Sequence, residues 1–303
     1  MDKKALLSYI KASPNKHVNY LSEHLNIDKE TLIKILESYN LLDKVILYNS
    51  PEKELGEILI GFEKTRKIIP PYEIDFYSDK YKLGVEFNGI YWHSSELKDR
   101  YYHQEKSQMA WMAGIRLYQI FEYEWKYKDL IISHIQRLCG CLKKVVCRVK
   151  EIEKEEANYF LYKTCIEYDK DFDIYFGLYE LVSNDLCGVI TFKGNVLNNY
   201  SERPDVSIKD GIFQGVDYYH SKYETEIYAY PDLAKYIYDY SCFKIEGCTE
   251  PNLIWFKSDK LSEEKKKYLL AGNINLSEEE YLRKLGYKKL YDCGRLKLRF
   301  STQ

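Results

Sequence analysis

The sequence predicts a mixed α/β (α+β) protein: a small helical N-terminal part followed by two parts in which helices pack on sheets. Three observations carry this. Residues 1 to about 45 space their apolar positions at helical intervals. Residues 50 to 143 run helix, β-hairpin, helix, strand, helix, and beyond residue 172 two apolar strands flank a turn. At 303 residues and 45% hydrophobic content, the chain is long enough for two or three packed domains.

Taken in order, Ala5 to Lys11 reads as a helix carrying Leu6, Leu7 and Ile10, broken at Ser13-Pro14-Asn15. Val18 to Leu25 is a second, short amphipathic helix, and Asn26-Ile27-Asp28 ends it. Asp28 is a good N-cap for Lys29 to Tyr39, whose Leu32, Ile35 and Leu36 share a face. Helix, short turn, helix is the arrangement that places a second helix in a major groove, where Lys29, Thr31 and Lys34 would face DNA beside Glu30 and Glu37. A small packing or protein-binding domain is the other reading of these residues.

Glu52 to Lys67 reads as a helix stopped by Pro70-Pro71. Tyr72 to Tyr77 and Tyr81 to Phe87 form a hairpin around Ser78-Asp79-Lys80. Leu97 to Ala113 returns to helix and ends at Gly114; Ile115 to Phe121 is a strand, and Lys126 to Leu142 a helix. A basic run, Lys143, Lys144, Arg148 and Lys150, opens the last part. Strands Phe172 to Val182 and Leu186 to Phe192 follow, then a polar loop from 194 to 222 that matches no motif. Leu233 to Tyr240 is a helix, Leu253 to Phe256 a strand, and Ser277 to Leu285 a helix with a capping box from Ser277 and Glu280. Two short strands around Asp292-Cys293-Gly294 close the chain. The domains therefore divide at 1–49, 50–143 and 144–303.

A net charge of −2 excludes a uniformly basic nucleic-acid binder, so any DNA contact comes from local patches. No stretch approaches the roughly 18 apolar residues of a membrane span, and the first residues lack a signal-peptide core, which together imply a cytoplasmic protein without a membrane partner. Eight cysteines with no CxxC pair fit reduced thiols better than a zinc site. The 31 tyrosines, many beside lysines, fit either base stacking or an AT-rich coding sequence.

Chemistry concentrates in the middle part. Asp75 lies between apolar neighbours in one strand and Glu86 in the next, so a hairpin can bring both carboxylates to one end of a sheet. Hard oxygen ligands so placed suit Mg²⁺, which needs one or two carboxylates plus water and phosphate. His93, just past the second strand, is a proton-transfer candidate; His103 and Lys106 sit one helical turn apart. Each residue alone has a plainer role, as a half-exposed strand acid, a loop histidine or a solvated helix face.

Five ordered blocks give the middle part its character: Pro51-Glu52-Lys53-Glu54-Leu55, Tyr72 to Phe76, Gly84 to His93 (Gly-Val-Glu-Phe-Asn-Gly-Ile-Tyr-Trp-His), Tyr102 to Lys106, and Gly114 to Leu117 running into Ile120 to Trp125. Over residues 50 to 138 they resemble the phage homing endonucleases of the very-short-patch-repair-like (EDxHD-type) branch of the PD-(D/E)XK nuclease superfamily. The resemblance implies a restriction-endonuclease-like core with Glu52 as a helix-borne acid near the metal, Asp75 and Glu86 as the metal acids and His93 in proton transfer. Asn88 stands where the superfamily's E-x-K places lysine, and His103 and Lys106 on the helix take over, with His103 at a position that is aspartate in the repair enzymes. The implied reaction is Mg²⁺-dependent hydrolysis of double-stranded DNA, with Mn²⁺ able to substitute. It yields a nick or a double-strand break, the latter through a homodimer or two sequential nicks, in the host cytoplasm if phage-encoded. Asn88, Lys143, Lys144 and Arg148 join Lys29, Thr31 and Lys34 as expected DNA contacts.

The last part, tagged by Tyr287 to Gly294, resembles the acetyltransferase-type (GNAT-like) region that follows this nuclease in many phage homing endonucleases. Ala229-Tyr230-Pro231-Asp232-Leu233 has no glycine-rich turn for a pyrophosphate, so the expectation is a degenerate domain for DNA contact or assembly that takes no acetyl-CoA. Two alternatives stand beside the nuclease: a DNA- or protein-binding module that keeps the fold without cutting, and an acyltransferase acting through the last part.

Overall fold

The computed structural model describes residues 2–13, 16, 18–45, 51–89, 93, 95, 97–166, 168, 171–220, 225–239, 243–256, 278–284 and 287–300. It is a mixed α/β structure whose contacts divide it into two compact units, Met1–Ile60 and Gly61–Gln303. Among the described residues no helix is long and apolar enough to cross a membrane.

The first unit is helical: α1 (Lys3–Ala12), α2 (Val18–Leu25), α3 (Lys29–Ser38) and α4 (Pro51–Ile58). Asp2 and Asp28 cap α1 and α3, their carboxylates accepting the amides of Ala5 at 2.8 Å and Thr31 at 3.0 Å. Leu6, Ile10, Val18, Leu21, Leu32, Leu36 and Leu41 form the core of α1 to α3, and Lys29, Thr31 and Lys34 lie exposed on α3. Asn26 and Asn40, which adopt positive φ, supply the breaks after α2 and α3.

The expected helix from Glu52 to Lys67 ends at Ile58. Gly61 takes a φ of +84°, and Glu63–Thr65 becomes strand β1, paired antiparallel to β2 (Ile74–Ser78). A left-handed glycine cannot continue a right-handed helix, so Gly61 rather than the proline pair is the stop.

The second unit opens with a four-stranded sheet in the order β1-β2-β3-β4, where β3 is Leu83–Asn88 and β4 Arg116–Phe121. The first three strands are antiparallel neighbours, and β4 runs parallel to β3 after the crossover helix α5 (Tyr102–Met112). That helix starts five residues later than its apolar pattern suggests, because Asp99 Oδ1 accepts the Tyr101 amide at 2.7 Å and holds the preceding turn. All six residues of β3 are buried. Gly84 is there for room: a β-carbon would sit 2.8 Å from Leu117 Cδ1. A 3₁₀ turn (Glu122–Tyr127) leads into α6 (Lys128–Leu138), shorter than expected because Lys143–Val145 leaves to form β5.

A seven-stranded sheet fills the rest, in the order β12-β15-β11-β9-β8-β7-β6. Its strands are β6 (Cys147–Glu151), β7 (Ile174–Glu180), β8 (Leu186–Lys193), β9 (Val196–Glu202), β11 (Glu226–Ala229), β12 (Phe243–Cys248) and β15 (Leu296–Phe300). Strand β10 (Val206–Ile208) pairs parallel with β5, and β13 (Leu253–Phe256) antiparallel with β14 (Lys288–Tyr291). Helices α7 (Lys154–Thr164), α8 (Gly211–His220), α9 (Pro231–Asp239) and α10 (Glu278–Lys284) complete the unit. The capping box expected at Ser277 lies outside the described residues.

Here the structure corrects the sequence reading most. Over its described residues, 194–220, the segment expected as a polar loop from 194 to 222 instead holds β9, β10 and α8. Its polar residues alternate with Leu197, Val206, Ile208, Ile212, Phe213 and Val216, all in the main core. Its glycines mark close packing as well as turns, since a β-carbon at Gly215 would lie 2.1 Å from Ile190 Cδ1.

The closing Asp292-Cys293-Gly294 is a structural knot. Asp292, 2% exposed, accepts the Asn252 and Gly294 amides at 2.7 and 2.8 Å and the Asn252 side chain at 2.8 Å. Gly294 has φ +66°, and a β-carbon there would come within 2.7 Å of the Thr249 carbonyl oxygen. Gly294→Ala combines a left-handed alanine with a backbone clash, and should cost about 2–4 kcal/mol in urea unfolding. A loss under about 0.5 kcal/mol would contradict this account of the corner.

Candidate active site

The hairpin register places the two acids. Phe76 pairs with Val85, and one residue farther along Asp75 and Glu86 face each other. There side chains replace backbone pairing: Glu86 Oε1 accepts the Asp75 amide at 3.1 Å, and Asp75 Oδ2 accepts the Phe87 amide at 3.2 Å. Each carboxylate is therefore held by the other's strand. From α5, the Lys106 ammonium reaches Glu86 Oε2 at 2.5 Å, and the two side chains are only 4% and 1% exposed. From β1, Lys64 approaches Asp75 Oδ1 at 3.3 Å.

Asp75, Glu86, His93 and Lys106 stand in the wall of an open cleft of about 600 Å³, with Arg66, Lys98 and Tyr102 around it. Burial pushes the Glu86 carboxyl up to about 8, with Lys106 opposing the rise and Asp75 adding to it. Burial lowers His93 to about 4, helped by the positive charge of Lys106, so its imidazole is neutral at pH 7 and a weaker base than a free histidine. His103 stacks on His93 with ring centroids 5.1 Å apart, and burial holds it well below its ordinary range. His93 Nδ1, His103 Nε2 and Asn88 Oδ1 are buried without a hydrogen-bond partner among the described residues.

Among the described residues no cluster of three or more His, Cys, Asp or Glu side chains could hold a metal. That donor set does not fit zinc, which takes at least three protein ligands. It fits Mg²⁺, for which Asp75 and Glu86 suffice with water and phosphate. Every oxygen of the two carboxylates meets one partner and keeps a second lone pair.

The structure thus gathers Asp75, Glu86, His93, His103 and Lys106. Glu52 lies on α4, in the first compact unit, as do Lys29, Thr31 and Lys34 on α3. Asn88, expected at the DNA surface, is 1% exposed and donates its amide to Gln119 Oε1 at 3.1 Å; central in a sheet covered on both faces, it has no path to a groove. Lys143, Lys144 and Arg148 are exposed on β5 and β6, outside the cleft lining; Lys143 pairs with Glu180 at 3.0 Å and Arg148 bonds Asn184. Sequence reasoning missed Lys64, hidden in a segment read as helix, and Gln119. The second had a signal, a lone amide inside the apolar run Leu117 to Phe121.

No protein-family model matches the chain, and none of the curated proteins matches it.

Proposed function

We propose that the chain is a metal-dependent DNA endonuclease of the PD-(D/E)XK type. The observation that carries the proposal is the Asp75–Glu86 pair, cross-locked at the end of a hairpin, with Lys106 delivered onto Glu86 from the crossover helix. The sheet supports it too: three antiparallel strands and a fourth parallel to the third present both acids from adjacent strands. Lys106 supplies the ammonium that the usual lysine would bring, since Asn88 occupies that place in β3. Asp75 and Glu86 would hold Mg²⁺, which when bound stabilises negative charge on a phosphate and acidifies water. Lys98 and Arg66, the latter paired with Glu73 at 2.7 Å, line the cleft and would offer cationic contacts to a phosphodiester backbone. His93, in the wall of the cleft, would be the proton-transfer residue, and its lowered basicity would have to be offset when substrate is bound.

For the rest of the chain we read α2 and α3 as a DNA-contacting helix-turn-helix and residues 144–303 as a GNAT-like domain used in assembly. Support for the latter is the strand order, with β9 and β11 the one parallel pair of neighbours in the sheet among the described residues. Its contacts suit assembly: Arg137 on α6 reaches Glu202 at 3.1 Å, Ser133 the Pro204 carbonyl at 2.5 Å, and His134 meets Asp232 at 2.8 Å.

The test is cleavage of supercoiled double-stranded DNA. With Mg²⁺ or Mn²⁺ the native protein should produce nicked or linear product, and EDTA should abolish it. Binding without cleavage in either metal, across several DNAs, would replace the nuclease with a binding module; calorimetric binding of acetyl-CoA would revive acyl transfer.

A further inference from the structure

We infer that Gln119 is a positioning residue that fixes His103 in the Nδ1–H tautomer and presents its Nε2 as a bare acceptor beside the cleft. Gln119 lies on β4 next to Glu86 in the parallel register and is 8% exposed. Its orientation follows from its neighbours. One end of the carboxamide faces the His103 backbone carbonyl at 2.8 Å; a carbonyl only accepts, so this end is the amino group. The second amino hydrogen goes to Ser107 Oγ at 2.6 Å.

The other end is therefore Oε1, which only accepts. Its two neighbours must both donate: Asn88 Nδ2 at 3.1 Å and His103 Nδ1 at 3.0 Å. Hence Nδ1 carries the hydrogen, and Nε2 keeps a lone pair with no partner among the described residues. The same logic turns the Asn88 amino group toward Gln119 and leaves its Oδ1 bare and buried. Four hydrogen bonds at one amide thus tie α5 to β3 and β4 and set the direction of two acceptors.

Bare buried acceptors are uncommon in folded proteins and are met by water or ligand. His103 stacks on His93, which lines the cleft, so the lone pair at Nε2 stands one ring behind the wall. Its use as a proton acceptor or water anchor in hydrolysis rests on the nuclease proposal; the tautomer does not.

The test is ¹⁵N NMR of the full chain labelled at its six histidines, without DNA, with His103 assigned by the signals lost in His103→Asn. The expected result is a protonated Nδ1 and an unprotonated Nε2, favoured by about tenfold or more, the worth of one buried hydrogen bond. Gln119→Leu, which removes the acceptor at Nδ1, should bring the two tautomers within a few-fold of each other. An Nε2–H tautomer in the native protein overturns the inference even if the leucine variant fails to fold. So does an unchanged ratio in folded Gln119→Leu. Because the spectrum is read without DNA, an inactive protein with the expected tautomer would sink the nuclease and leave this inference standing.

Discussion

Asp75→Asn should lower single-turnover DNA cleavage by at least about 10³-fold while the protein stays folded and still binds DNA. Asparagine keeps an oxygen that can accept the Phe87 amide, so the hairpin end retains its lock. What it loses is the negative charge, and with it one of the two carboxylates proposed to hold Mg²⁺. Several kcal/mol of charge stabilisation depend on a metal held at such a site, at 1.36 kcal/mol per factor of ten in rate. Stability should change by less than about 1 kcal/mol, because the ion-pair partner Lys64 is half exposed. DNA affinity should hold or rise, since a negative charge leaves the surface proposed to meet phosphates. Native-like cleavage by Asp75→Asn would place the chemistry elsewhere in the chain.

How much of this was legible in the sequence depends on whether local or distant contacts set the structure. The hairpin was legible because alternation and a turn at Ser78-Asp79-Lys80 are local signals, and once it forms Asp75 and Glu86 must face each other. The three N-terminal helices were legible for the same reason, down to the Asp28 cap. The strands and helix between 196 and 220 were not. Their polar faces and glycines look like loop, and only packing against Ile190 and the rest of the sheet shows why Gly215 is small. In the site, the acids, the histidines and Lys106 stood out by type and spacing. Asn88 was misplaced because neighbouring strands decide burial, and β3 is covered on both faces. Gln119 was invisible as a function because its role exists only where Asn88, His103 and Ser107 converge.

Convergence also ties the cleft to distant parts of the second unit. Lys106 comes from a helix that packs on β4, and Gln104 of that helix donates to the Thr249 carbonyl at 2.9 Å, near the Asp292–Gly294 corner. The Tyr101 hydroxyl reaches Glu250 at 2.9 Å on the same stretch. The C-terminal half therefore braces the face of α5 next to His103 and Lys106. Damage at that corner should reach the site through α5 rather than through any shared ligand.

Lys106→Met tests the other half of the site, and its largest effect should be on stability. The ion pair with Glu86 is nearly inaccessible to water, and breaking a buried pair by deleting one partner typically costs about 3–5 kcal/mol. Glu86 can lessen that cost by taking a proton, which makes the loss depend on pH. In the metal-free native protein the Glu86 carboxyl is raised from 4.5 to about 8, so the folded state binds more protons than the unfolded state between those values. Its contribution is complete below 4.5 and is lost as pH rises through about 8. Removing the ammonium that opposes this rise lifts the carboxyl further and extends the decline to higher pH. The stability gap between native protein and Lys106→Met, measured by urea unfolding in EDTA, should therefore be small from pH 5 to about pH 8 and open above it, by at most about 1.4 kcal/mol at pH 9. Adding Glu86→Gln to the variant removes the group that must ionise, so the double variant should lose this pH-dependent decline and gain on both the native protein and Lys106→Met as pH rises from 5 to 9. It should not regain cleavage, because the proposed Mg²⁺ carboxylate and the ammonium are both gone. An equal loss at pH 5 and pH 9 would mean that Glu86 does not titrate as its burial requires, and that Lys106 matters for packing rather than charge.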